Sequence, residues 1–181
     1  MQKAKLCFIL LLFLLTAFSA WAAVSEYSFA STLGTYTEIS GGTVLGTVTN
    51  DNEVFNALPL GFTFSYNGVD YTDVSVVCNG FIAMGPTALT SNQPISNAAT
   101  SNNVVAAIGR DIKSRDTGEL MYLSSGTAPN RIFSVQWKHW RRSATATVND
   151  DISFQIQLQE NGNKVVFVYG PFTAVTSTTN Q

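Results

Sequence analysis

The side chains best suited to binding a ligand form a short run of one tryptophan and two arginines, Trp140, Arg141 and Arg142. An indole ring offers a flat apolar surface to a sugar, and guanidinium groups form paired hydrogen bonds with carboxylates. Trp137 is predicted to be buried, and the opposite parity of Trp140 predicts an exposed ring. The run is therefore a candidate site for a glycan or a peptide carboxylate. Alternatively, Trp140 covers a sheet edge while the arginines pair with acidic loops.

Two pairs of acidic residues could hold a cation: Asp51 with Glu53, and Asp150 with Asp151. Calcium takes oxygen ligands, although neither pair has the spacing of a recognised calcium loop. Paired carboxylates could also hydrolyse a glycosidic bond, and acidic residues between strands often only form turns. Calcium is therefore the one cofactor that the sequence leaves open.

The sequence offers little else for catalysis. His139 is the only histidine, and no orienting carboxylate or nucleophile can be assigned to it from the sequence. Motifs for a serine nucleophile, a zinc peptidase or a phosphate-binding loop are missing. The protein is therefore predicted not to be an enzyme, and Cys78 is predicted to be a small buried residue rather than a reactive thiol.

Strands must position these side chains, because apolar and polar residues alternate with a period of two along most of the chain. Asn-Gly pairs beginning at Asn67, Asn79 and Asn161 each separate two alternating segments, which predicts antiparallel hairpins. The chain from Gly85 to Asn103 has no period and is predicted to be a loop. Strands are predicted at Tyr27–Phe29, Tyr36–Ile39, Thr43–Val48, Phe62–Tyr66, Tyr71–Cys78, Phe81–Met84, Val104–Ile108, Glu119–Ser124, Arg131–Trp140, Ile152–Leu158 and Lys164–Tyr169.

About nine or ten short strands without a helical segment predict an all-β fold, an antiparallel β-sandwich or jelly roll. Only 12% of the residues are charged and the net charge is −2, which argues against a nucleic-acid partner. The outer faces of the strands carry Ser, Thr, Gln and Asn instead of lysine. Such edges are weakly protected against pairing with another chain.

The first 22 residues are predicted to be a cleavable signal peptide. Lys3 and Lys5 precede the apolar run Leu6–Phe18, and Ala20 and Ala22 fit the cleavage rule. This predicts a secreted or cell-surface protein that engages the secretion machinery and has no membrane span after cleavage. Residues 23–172 are predicted to form the β-sandwich domain, and residues 173–181 a polar tail and a truncation point.

From Leu58 the chain reads LPLGFTFSYNGVDYTDVSVVCNGFIAMG, followed by NNVVAAIGRDI, RIFSVQWKHW and FQIQLQENGNKVVFVYG. This text resembles the N-terminal β-sandwich modules of secreted and cell-surface Bacteroidota proteins and, more distantly, the nidogen-like extracellular domain. The resemblance covers roughly Ser25 to Gly170. It implies a non-catalytic secreted module, and for the Bacteroidota proteins a type IX secretion cargo.

These observations predict an exported, non-catalytic module for adhesion or for binding an extracellular protein or glycan. Two alternatives remain open. One is a carbohydrate-binding or carbohydrate-active domain with Trp140 as its platform. The other is a structural subunit of a surface assembly, in which a neighbouring chain pairs with an incomplete sheet edge.

Overall fold

The computed structural model describes residues 27–46, 51–86, 103–143 and 150–173. Within these residues the chain forms nine strands and no helix, as the alternation predicted. One antiparallel sheet has the order β1-β6-β7-β8-β9 and the other the order β2-β3-β4-β5. The strands are β1 (Thr43–Gly46), β2 (Val54–Tyr66), β3 (Val69–Val77), β4 (Phe81–Met84), β5 (Val104–Ala106), β6 (Ile112–Ser125), β7 (Ile132–Arg142), β8 (Asp151–Gln159) and β9 (Lys164–Thr173).

All three predicted Asn-Gly hairpins are confirmed as antiparallel pairs, but they use different turns. Asn67 and Gly68 have φ angles of 51° and 75°, and they join β2 to β3 as a two-residue turn. The β3–β4 connection has three residues, with positive φ at Gly80. The β8–β9 connection has four, with positive φ at Gly162 and Asn163. The dipeptide therefore predicted the pairing but not the loop length.

The core lies between the two sheets and consists of the inward residues of alternating strands. Trp137 on β7 stacks on Phe154 of β8, with ring centroids 4.9 Å apart and planes 7° apart. The Trp137 indole donates a hydrogen bond to the Cys78 carbonyl, 3.1 Å away, and so joins the sheets. Cys78 is a buried cysteine, as predicted. Apolar packing at this interface supplies most of the drive to fold.

Two of the predicted strands near the start of the described chain are wrong. Tyr27–Phe29 and Tyr36–Ile39 have no regular secondary structure. Backbone groups of the second segment bond to side chains instead: Ile39 N–H donates to the Gln136 amide oxygen, and the Thr37 carbonyl accepts from the Gln155 amide. A period of two is compatible with a β-strand, but it does not identify a neighbouring strand with which the segment would form a ladder.

Several predictions lie outside the described residues. These are the signal peptide at residues 1–22, most of the Gly85–Asn103 loop, and the tail beyond residue 173. Among the residues that are described, no helix is long and apolar enough to cross a membrane.

Candidate functional site

Trp140 is fully buried, so the predicted exposed platform is wrong. Between Trp137 and Trp140 strand β7 contains a bulge, in which Lys138 and His139 together face Ser153 of β8. His139 adopts a φ of 56°, and its N–H donates to the Ser153 hydroxyl. One extra residue reverses the alternation, so both tryptophans point into the core. Parity failed here because it assumes an unbroken strand.

Burial removes Trp140 from any stacking role but gives its indole N–H a protein partner. The Trp140 indole donates to the Glu119 carbonyl at 3.3 Å, and the residue has no exposed surface. The side chain therefore anchors β7 to β6 from the core side. Within the predicted run, only Arg141 and Arg142 are left as candidates for ligand binding.

Arg142 faces the end of the core and pairs with a buried carboxylate. Its guanidinium contacts both oxygens of Asp150, at 2.5 and 3.1 Å, and Asp150 is 1% exposed. Arg115 donates to the Asp150 carbonyl. These hydrogen bonds raise the pKa of Arg142 above its ordinary value. This contact matches the alternative interpretation, in which an arginine pairs with an acidic loop.

Arg141 projects from the opposite face of the sheet, and its cross-strand neighbour is another cation. Its register partner on β6 is Lys113, and paired residues project on the same face. The Nε atom of Arg141 is buried and finds no hydrogen-bond partner in the described part of the chain. Like charges placed opposite each other destabilise a sheet. The pair therefore offers a place where an anion would be stabilised.

Sequence reasoning missed Lys113, because it lies in a part of β6 that was not predicted to be a strand. A strand was predicted at Glu119–Ser124, but β6 begins seven residues earlier, at Ile112. Residues between Ser114 and Glu119 form an irregular bulge that interrupts the ladder. Because the pattern breaks there, alternation alone does not carry the strand back to Lys113.

His139 and Asp151 form a second polar group near this end of the sheet. Nδ1 of His139 lies 2.9 and 3.1 Å from the two carboxylate oxygens, and each side chain is 36% exposed. The Ser153 hydroxyl accepts a hydrogen bond from the backbone N–H of His139. Among the described contacts, none joins the imidazole ring of His139 to the Ser153 hydroxyl, so the ring does not activate this serine as a nucleophile. The pair thus fixes the ring orientation at the bulge.

The predicted calcium ligands are engaged by protein groups. Glu53 accepts the Asp51 N–H at 2.8 Å and contacts the Cys78 thiol, while Asp51 accepts from the Ser143 hydroxyl at 3.4 Å. Asp150 and Asp151 bind Arg142 and His139 as described. Within the described ranges no group of three or more histidine, cysteine or acidic residues converges on one point. Calcium binding stays a prediction.

The fold defines an all-β module of two antiparallel sheets. The profile of the NIDO-related family matches residues 26–181, and the chain belongs to that family. The match supports the distant resemblance to the nidogen-like extracellular domain. No curated protein and no solved structure matches the chain significantly.

Proposed function

We propose that this chain is a non-enzymatic module that binds an anionic extracellular ligand, a carboxylated or sulfated glycan or an acidic protein segment. The ligand lies on the outer face of the five-stranded sheet, at the end where β6 and β7 carry Lys113 and Arg141. The module acts in a secreted or cell-surface protein, and export by the predicted signal peptide, as in Bacteroidota type IX cargo, forms part of the proposal.

The observation that carries this proposal is the unbalanced Lys113–Arg141 pair. Neither side chain has an ion-pair partner among the described residues, while Arg142, one residue away, has a bidentate one. An anion between the two cations would convert their repulsion into attraction. Arginine also offers the paired donors that suit carboxylate and sulfate groups.

The test measures binding of the folded chain to immobilised heparin and hyaluronan, which probe sulfated and carboxylated glycans. Arg141→Ala and Lys113→Ala should each weaken binding at least fivefold, because each removes one of two charged contacts. Arg110→Ala is the matched control, since Arg110 is an exposed cation outside the pair. Equal losses in all three variants would indicate diffuse electrostatic attraction and contradict the site. Absence of binding to glycans and to acidic peptides would contradict the function.

A second candidate function, subunit of a surface assembly, is supported by strand β9. This strand ends the five-stranded sheet and exposes 60% of Tyr169 and 63% of Phe172. Unpaired apolar edges favour strand addition by another chain. Replacing the exposed Tyr169 or Phe172 by lysine should abolish such assembly in a sedimentation experiment, because a charged side chain protects a sheet edge from pairing. Unchanged sedimentation would exclude this edge.

A further inference from the structure

The chain segment 27–42 crosses the outer face of the five-stranded sheet and is held at two separate places; we call it the strap. At its start, the Tyr27 ring lies 5.7 Å from the Tyr66 ring, and its hydroxyl accepts the Asn67 N–H. Near its end, residues 36–39 lie on β7 and β8. Between these points Phe29 and Leu33 are 87% and 105% exposed. The strap therefore rests on point contacts rather than on a continuous interface.

Contacts at residues 36–39 form a defined receiving site on the sheet. The Gln136 amide oxygen accepts from the Tyr36 hydroxyl at 3.1 Å and from Ile39 N–H at 2.9 Å. Gln155 donates to the Thr37 carbonyl at 2.7 Å. The Thr37 carbonyl and the Ile39 N–H, two residues apart, are thus both hydrogen-bonded to glutamine side chains. The glutamines are almost fully buried beneath the strap.

Two further contacts make the receiving site selective for this sequence. Lys138 forms an ion pair with Glu38, with 2.6 Å between Nζ and Oε2. The ring of Tyr36 packs on Gly170, where an added Cβ would lie only 2.8 to 2.9 Å from the ring atoms. The site therefore accepts an aromatic residue followed, two positions later, by an acidic one.

We propose that a second copy of this chain can supply the strap, so that two molecules exchange residues 27–40 and form a homodimer. Every contact of the closed monomer would be reproduced across the pair, because donor and receiver are identical. The strap joins β1 through Gly41 and Gly42, and Gly41 has a φ of 74° with open space around its Cα. Gly42 stays packed on the sheet, where an added Cβ would lie 2.7 Å from the Tyr122 carbonyl oxygen, so Gly41 is the point at which the strap can leave in another direction.

The strap of a second copy competes with the chain's own strap for the receiving site. A short flexible tether gives an effective concentration of about millimolar, so an isolated chain closes its own strap at micromolar concentration. Exchange becomes favourable when copies are crowded together, as on a surface. This inference goes beyond the proposed anion site, since it involves different residues and a different partner.

A charge exchange between two variants tests the inference in the full chain. Glu38→Lys places a lysine against Lys138, and Lys138→Glu places a glutamate against Glu38, so each variant alone has like charges in its closed form. In a mixture, exchange restores an attractive pair at both sites. We expect a heterodimer in two-colour fluorescence cross-correlation at a concentration at least tenfold below that needed by either variant alone.

The double variant E38K/K138E restores the closed pair and is the matched control; it should dimerise no better than the unmodified chain. A mixture that gives no heterodimer at about millimolar concentration would overturn the inference. Association that ignores the charges would also overturn it and would indicate pairing at the β9 edge. No ligand is involved, so this result is independent of the heparin test.

Hydrogen exchange of the unmodified chain provides a second measurement. It needs no substitution, so its result does not depend on whether a variant folds. The Ile39 amide should exchange at least tenfold faster than the amides of the β7–β8 ladder, because strap opening does not require unfolding. If Ile39 exchanged only at the rate of global unfolding, the strap would be a fixed part of the fold and the exchange mechanism would be wrong.

Discussion

The two faces of strands β7 and β8 are both buried, yet they are buried by different means. On the inner face, Trp137 and Phe154 stack within an apolar core that contains no exposed atoms of either ring. On the outer face, Gln136 and Gln155 are 0% and 2% exposed and are covered by the strap through hydrogen bonds. The inner face of these two strands is thus stabilised by buried apolar surface, and the outer face is stabilised by directional hydrogen bonds.

This difference governs how each face responds to change. Apolar burial contributes roughly 25 cal/mol per Å² and does not depend on the angle of approach. A hydrogen bond contributes about 1 kcal/mol net, but leaving a buried partner unmatched costs about 1 to 3 kcal/mol. The inner face should therefore dominate stability, and the outer face should determine which segment can dock. The predictions below separate these roles.

Trp137→Ala should cause the largest loss of stability. Removal of a buried indole leaves a cavity and deletes the hydrogen bond to the Cys78 carbonyl, and such truncations cost about 3–5 kcal/mol in the free energy of unfolding. Urea denaturation followed by circular dichroism measures the change. Trp137→Phe keeps most of the volume and should lose about half as much. A loss below about 1 kcal/mol for the alanine variant would mean that the sheets collapse onto the cavity.

Gln155→Ala should lower the free energy of unfolding by about 2 kcal/mol, less than the indole truncation. The substitution removes the donor to the Thr37 carbonyl and to the Gln136 amide oxygen, and the acceptor of the Gln157 amide, so the buried Gln136 oxygen loses one of its partners. The same urea experiment measures it. Gln157→Ala is the matched control, because it removes a single contact with Gln155, and it should lose about 0.5 kcal/mol. Equal losses would contradict the special role of the strap contact.

Gly170→Ala should cost about 1 kcal/mol, since the strap can lift from the sheet instead of distorting it. The added methyl would meet the Tyr36 ring at less than van der Waals distance. A double-mutant cycle with Tyr36→Ala, again in urea, measures the coupling between the two positions. The glycine substitution should become nearly neutral once the ring is absent. If it remained equally costly, strain within β9 rather than the strap would be its cause.

The sequence predicted the inner face better than the outer one, and the reason is physical. Alternation records which side chains avoid water, so the burial of Trp137 was predicted correctly. Alternation does not detect an inserted residue. Because of the bulge at Lys138 and His139, Trp140 was therefore predicted on the wrong face of β7. The strap was missed because its partners are glutamine amides, which carry no periodic signal.

The site was predicted in part for the same reason. Arg141 and Arg142 were identified by residue type, but the predicted strand ended at Trp140, so alternation was not applied to the two arginines, which the longer β7 places on opposite faces. Only the three-dimensional register pairs Arg141 with Lys113 and Arg142 with Asp150. Residue chemistry thus predicted the candidates, while the ladder decided which of them has a free charge to offer.

Raising the pH should weaken the docking of the strap on the outer face, because the Tyr36 phenol is more easily ionised in the unfolded chain than in the folded one. Desolvation by burial and the nearby Glu38 charge raise the pKa of Tyr36 from 10.0 to about 12. Between pH 10 and 12 the unfolded chain releases this proton more readily than the folded one, so the stability from the docked phenol is complete below pH 10 and lost as pH approaches 12. Absorbance at 295 nm and urea unfolding at several pH values follow the two processes. Tyr36→Phe should remove this part of the pH dependence, whereas Trp137→Phe should retain it. If both variants kept the full dependence, the strap phenol would not be its source, and the contrast between the two faces would lose its electrostatic component.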